Sequence, residues 1–171
     1  PTSKAVNDFC ETTKNYMQNL VEDVTPELGE DLNLNFHNIL MYGTPGDQNY
    51  YGLIESRNVG ESVAFGDLLY FYWANKTWKK ADADLVTNMP GLRIALESRE
   101  EFQSCKMLIM GYIRNNDWDF IESMVYASAT AGGVTSTAPS AAGQQLQRVG
   151  MATDSDTLFF DPSIDVGEIK P

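Results

Sequence analysis

Paired aspartates are the residues of this 171-residue sequence best suited to chemistry. On a β-strand, residues i and i+2 share one face about 6.6 Å apart, at ~3.3 Å rise per residue. Two such carboxylates could hold Ca²⁺, or act as the acid and base of a glycosidase. Aspartate is also common in turns, where its side chain bonds the local backbone, and we favour this interpretation. The pairs, all in predicted turns and none with calcium-loop spacing, are Asp82/Asp84, Asp117/Asp119 and Asp154/Asp156.

Other catalytic residue types are scarce. His37 is the single histidine, which excludes a multi-histidine metal site, and its polar surroundings predict a surface position. The sequence has no G-x-S-x-G nucleophile motif and neither of the common glycine-rich phosphate-binding motifs. Cys10 and Cys105 form no C-x-x-C pair, and we predict free, buried thiols made in a reducing compartment. We therefore expect no catalytic residue, no metal and no cofactor, and a protein that is not an enzyme.

The net charge limits the partners. The chain carries 24 acidic and 12 basic residues, a formal charge of −12, and acids outnumber bases in every third of the sequence. Nucleic-acid binding depends on Lys and Arg contacting phosphates, and anionic membranes also attract basic surfaces. No stretch approaches the ~20 apolar residues that cross a bilayer. We expect neither a nucleic-acid partner nor a membrane.

An N-terminal α-helix is predicted over residues 3–24. Apolar and small residues recur there with spacings of 4, 3, 4, 3 and 4, which is a heptad pattern. The helix could dock on a sheet or join a bundle around an oligomer axis. Together with an acidic connector it forms a predicted N-terminal region, residues 1–49. The heptad positions are Val6, Cys10, Thr13, Met17, Leu20 and Val24.

Residues 50–171 have the pattern of a β domain. Short β-type runs alternate with Gly, Pro, Asn and Asp turns, and there is no βα alternation. We predict a mainly β fold, an antiparallel β-sandwich or small barrel. We hypothesise that this domain contains two repeated β motifs, because Leu69-Tyr70 aligns with Val125-Tyr126 at an offset of 56 residues. The small-residue segment 127–143 is predicted to be an ordered turn rather than a linker.

The run from Leu68 to Trp73 is the densest hydrophobic feature. As a strand it would be apolar on both faces, which indicates burial on both sides or a partner chain. Exposed aromatic rings, with Trp78, could instead stack on sugars. We favour a core or subunit interface. The candidate interface residues are Val6, Cys10, Met17, Leu20, Val24, Phe71 and Trp73.

Several segments together resemble a C-terminal β module of tailed-bacteriophage virion proteins. They include Gly66-Asp67-Leu68-Leu69-Tyr70, Gly132-Gly133-Val134-Thr135, Gln147-Arg148-Val149-Gly150-Met151-Ala152 and Phe159-Phe160-Asp161-Pro162. Such modules occur in capsid decoration proteins, head fibres and tail fibres, and the resemblance covers roughly residues 58–165.

The resemblance implies a virion structural protein without an active site. The chain lacks the collagen-like or coiled-coil shaft of the longer fibres, which favours capsid decoration or a head-fibre subunit. A tail-fibre or receptor/glycan-binding virion protein is the alternative. The expected partners are other copies, as trimers because quasi-threefold positions abound on icosahedral shells, and the major capsid protein. The expected location is the virion, after synthesis in the bacterial cytoplasm.

Overall fold

The computed structural model describes residues 43–171. The predicted helix over residues 3–24, the acidic connector up to residue 42 and His37 lie outside the described residues. The same holds for five of the candidate interface residues, namely Val6, Cys10, Met17, Leu20 and Val24.

Within residues 43–171 the chain forms eleven short β-strands and one 3-10 turn, Val86–Asn88. The strands are β1 (Asn49–Asn58), β2 (Leu68–Tyr72), β3 (Thr77–Lys80), β4 (Gly91–Ala95), β5 (Ser104–Arg114), β6 (Met124–Ala127), β7 (Val134–Thr135), β8 (Gln145–Leu146), β9 (Arg148–Ala152), β10 (Thr157–Phe160) and β11 (Gly167–Glu168). Neighbouring strands pair antiparallel throughout. The mainly β, antiparallel prediction is confirmed for the described residues.

Nine strands form one sheet rather than the two packed sheets of a sandwich. The order is β3-β2-β4-β5-β10-β9-β6-β7, and β1 pairs with the other edge of β5, while β8 and β11 form a separate small ribbon. Register shifts interrupt the β1/β5, β2/β4 and β6/β9 pairs. Because such bulges bend strands and increase twist, one sheet can curl around its own core. Of the two predicted architectures, a sandwich or a small barrel, the sandwich is therefore wrong, and the sheet is a curled half-barrel.

The two halves of the sheet repeat one arrangement. The first half has the order β3-β2-β4-β5 and the second has the order β7-β6-β9-β10. The two halves are joined where β5 pairs with β10. The register shift lies between Leu69 and Tyr70 in β2, and between Val125 and Tyr126 in β6. These are the residue pairs that the sequence aligns 56 positions apart.

The core lies on both faces of the first half of the sheet. Leu68 and Tyr70 pack in the larger, inner cluster, whereas the intervening Leu69 packs in a smaller, outer cluster. The outer cluster includes Val59, Trp78 and other buried side chains. Alternating side chains of one strand thus enter two separate cores, which explains why the first three residues of β2 are all hydrophobic.

The curl brings β1, which pairs with the far edge of β5, against β3, the edge strand of the first half. Val59, directly after β1, forms a parallel bridge with Trp78 of β3, and the Gly60 N–H donates to the Trp78 carbonyl at 2.8 Å. β1 and β3 are thus joined at one end.

Candidate functional site

The paired aspartates act mainly as turn formers. The Asp84 N–H donates to Asp82 Oδ1 at 2.9 Å, and the Asp156 N–H donates to Asp154 Oδ1 at 2.9 Å. Burial raises the pKa of Asp154, but hydrogen bonds from Asp156 and Thr157 outweigh this and hold it below its ordinary value. These contacts confirm the turn interpretation for two pairs. In the third turn, the side chain that accepts the backbone bond belongs to Asn115 instead.

No three His, Cys, Asp or Glu side chains between residues 43 and 171 cluster closely enough to hold a metal ion. In the same range, no helix is both long enough and apolar enough to span a lipid bilayer.

Cys105 is a free thiol that is fully buried in the outer cluster. Burial, followed by the nearby Glu97 carboxylate, raises the pKa of the Cys105 thiol to about 11. Because the thiolate is the reactive form, Cys105 has the properties of a structural rather than a catalytic cysteine.

We expect Cys105 in the folded protein to react with iodoacetamide at pH 8 at least roughly 100-fold more slowly than in the urea-unfolded chain, because both its access and its thiolate fraction are reduced. Peptide-level mass spectrometry measures the Cys105 rate separately from that of Cys10. Equal Cys105 labelling rates in the two states would contradict the buried, protonated thiol.

The aromatic run ends in an exposed pair of rings. Phe71 is 37% exposed and Trp73, directly after β2, is 77% exposed. Their ring centroids lie 5.9 Å apart, and Phe71 also contacts Trp78 at 5.4 Å. The structure therefore brings together the two described candidate interface residues, while Trp78 itself is buried.

A second exposed surface was not identifiable from the sequence. Strand pairing places one residue from each of five strands in an unbroken cross-strand row, and directly paired residues share a face of the sheet. The row runs in the order Tyr51, Tyr112, Phe159, Met151 and Met124.

Leu53 and Met110, which pair two residues further along β1 and β5, extend this row. We call the seven side chains the outer apolar face. Leu53 is 56% exposed, Met151 48% and Met110 39%, and the Tyr112 and Phe159 rings contact each other with centroids 4.9 Å apart. The face contains three methionines, two tyrosines, one leucine and one phenylalanine, and no charged side chain.

A pocket of about 360 Å³ lies between the second half of β1 and the β2–β3 hairpin. Tyr51, the first residue of the cross-strand row, lies at the other end of β1. We call this pocket the mouth pocket, because the half-barrel opens there. Its lining combines three cations, one carboxylate and two aromatic rings. The lining residues are Glu55, Arg57, Phe71, Lys76, Trp78 and Arg93.

Glu55 organises the charged side of the mouth pocket. One carboxylate oxygen accepts from Arg93 Nε at 2.6 Å, and the other accepts from Arg57 Nε at 2.9 Å. The Arg93 guanidinium also stacks over the Trp78 ring at 4.9 Å. Burial raises the pKa of Glu55, but the hydrogen bonds from Arg93 and Arg57 outweigh it and hold this pKa below its ordinary value. Glu55 is therefore ionised at neutral pH and fixes both arginines.

No protein-family model and no curated protein matches this sequence. The candidate functional surfaces are therefore the outer apolar face and the mouth pocket.

Proposed function

We propose that this protein is a non-enzymatic structural subunit that assembles with other copies of itself on a bacteriophage virion, as a capsid decoration or head-fibre protein. The observation that supports assembly most directly is the outer apolar face. Its side chains come from β1, β5, β6, β9 and β10, so it is a continuous surface of the curled sheet.

The composition of this face is that of an interface core. Protein–protein interfaces are enriched in aromatic residues and methionine and depleted of charge at their centre. Large exposed apolar patches mark interaction sites in soluble proteins. The chain as a whole is acidic, and its −12 net charge makes copies repel each other. Contact between copies is therefore most favourable where apolar area is buried and no charge is desolvated.

The position on a virion is supported by the sequence resemblance over residues 58–165. An acidic protein is also better placed on the outside of a particle than against packaged DNA, which repels it. We propose a trimer in contact with the major capsid protein, made in the host cytoplasm before assembly.

We expect the wild-type protein to elute as an oligomer, with a mass that is a multiple of the 19.1 kDa chain. Met151→Glu should weaken association at least about 100-fold, because it buries an unpaired charge at the interface. Size-exclusion chromatography with light scattering over a dilution series measures this change.

Ile164→Glu is the matched control, because Ile164 is 75% exposed but is not part of the outer apolar face. It should leave the oligomer mass unchanged. A monomeric wild type would contradict the assembly proposal. An oligomer that Met151→Glu does not weaken would contradict the assignment of this face.

The virion location needs a separate experiment. Cryo-electron microscopy of purified particles, with the chain identified by mass spectrometry, should locate it on the outer capsid surface or a head fibre. Density confined to the tail fibre would favour the alternative location, and absence of the chain from purified particles would contradict the virion proposal.

A receptor- or glycan-binding virion protein is the second candidate function. The observation in its favour is the exposed Phe71–Trp73 pair next to the mouth pocket. Loss of glycan binding in Trp73→Ala, with the fold intact, would favour this function. Trp73 is a better position to test than Trp78, because Trp78 is buried and its loss would also disturb the outer cluster.

A further inference from the structure

We infer that the mouth pocket binds a carboxylate-bearing saccharide, an acidic sugar ring with free hydroxyl groups. This inference rests on the second candidate function and identifies the ligand class. Ligand sites occur preferentially in the mouths of β-barrels. Here the edges β1 and β3 are joined at Val59 and Trp78, and the pocket lies where the two strands separate.

The charge of the mouth pocket is opposite to that of the chain. Three cations and one carboxylate line it, a net charge of +2, whereas the whole chain carries −12. The Arg57 side chain is 65% exposed and uses its Nε for Glu55, so its terminal nitrogens face solvent. Lys76 is also exposed. Arg57 and Lys76 therefore offer donors to an incoming carboxylate, which a guanidinium can bind in a bidentate manner.

The aromatic side of the pocket suits a ring rather than a free ion. The Phe71 ring is partly exposed and is held by edge contacts with Trp73 and Trp78. Arg93 covers Trp78, so the accessible aromatic surface is that of Phe71 with Trp73 beside it. Aromatic rings held in this way offer a rigid apolar surface at low entropic cost, and the C–H face of a sugar can pack against it.

Glu55 distinguishes a hydroxylated ligand from a simple anion. Its ionised carboxylate would repel inorganic phosphate or a chain of carboxylates that approached closely. A sugar hydroxyl can instead donate to it, since an ionised carboxylate accepts about four hydrogen bonds and only two from Arg57 and Arg93 are described. A ring that carries both hydroxyls and one carboxylate uses the cations, the aromatic surface and Glu55 together.

We expect galacturonic-acid oligosaccharides to bind the full-length protein and to change its tryptophan fluorescence, with affinity measured by calorimetry. Arg57→Gln should weaken this binding by roughly 10-fold or more, because a charge-assisted hydrogen bond is lost. Arg148→Gln is the matched control, because Arg148 is an exposed arginine on β9 outside the pocket, and it should bind like wild type. Phe71→Leu should also weaken binding while keeping an apolar side chain.

Three further probes separate the ligand classes. Neutral maltooligosaccharides, inorganic phosphate and poly-glutamate should each bind at least about 10-fold more weakly than the acidic oligosaccharide. Equal binding of poly-glutamate would overturn the saccharide assignment in favour of an acidic peptide, and equal binding of phosphate would reduce the site to an anion site. No binding of galacturonate oligosaccharides, or no effect of Arg57→Gln, would overturn the inference. The oligomer mass of Arg57→Gln, measured in parallel, keeps this outcome separate from a failure of assembly.

Discussion

Gln147→Leu is expected to lower the free energy of unfolding by about 3 kcal/mol, because three backbone groups, two of them fully buried, lose their partners at once. Gln147 is 1% exposed and directly precedes β9. Its Oε1 accepts from the Gly91 N–H at 2.8 Å, and its Nε2 donates to the carbonyls of Gly91 at 2.9 Å and Ser163 at 2.6 Å. Leucine has a similar volume but makes none of these bonds. Urea unfolding followed by circular dichroism measures the change.

The position of Gln147 explains why one amide has so large an effect. Gly91 begins β4 in the first half of the sheet, whereas Gln147 belongs to the second half, so the side chain joins the two repeated arrangements. Gln103→Leu is the matched control, because Gln103 is exposed and its side chain accepts one bond, from the Glu100 N–H. The control should change stability by less than about 0.5 kcal/mol. Equal effects of the two variants would contradict the bridging role.

Gly111→Ala is expected to separate β1 from β5 and to destabilise the protein by about 3–5 kcal/mol, a size that large steric overlaps reach. Gly111 has φ +144° and lies opposite Gly52, which has φ +154°. A Cβ on Gly111 would lie 2.1 Å from the Tyr51 carbonyl oxygen and 2.7 Å from the Gly52 Cα. Both contacts are with backbone, so no side-chain rotation can relieve them.

Gly167→Ala is the control, because nothing lies within 4 Å of its Cβ position, and it should be close to neutral. Gly52→Ala should resemble Gly111→Ala, since its Cβ would lie 2.2 Å from the Met110 carbonyl oxygen. The double variant should cost less than the sum of the two, because one separation of β1 relieves both overlaps. Because association raises apparent stability, all variants are compared by urea unfolding at one protein concentration. Full additivity, or a Gly111→Ala variant as stable as the control, would contradict the close strand contact.

The local predictions that the structure confirms depend on neighbouring residues alone. The aspartate turns at Asp82 and Asp154 follow from side chains that bond the backbone two residues on. Leu69 and Tyr70 lie on opposite faces of the sheet, because successive side chains of any β-strand point in opposite directions. The sequence repeat stays a hypothesis, although the aligned Leu69 and Val125 each directly precede a register shift, in β2 and in β6.

Two aspects of the fold could not be derived in this way. The sandwich prediction was wrong because register shifts, which depend on which strands pair, let one sheet curl. The mouth pocket was missed because its residues come from β1, β2, β4 and the β3 hairpin, and only the approach of Val59 to Trp78 brings them together.

By itself, the sequence determined the mainly β class, the turns, the net charge of −12 and the two hydrophobic faces of β2, because all of these depend on composition or on neighbours along the chain. The tertiary structure alone decided which strands lie side by side. Tyr51, Tyr112, Phe159, Met151 and Met124 are separated by up to 108 positions, and each is unremarkable in its own strand. They become one surface only through the strand register, which is set by long-range pairing.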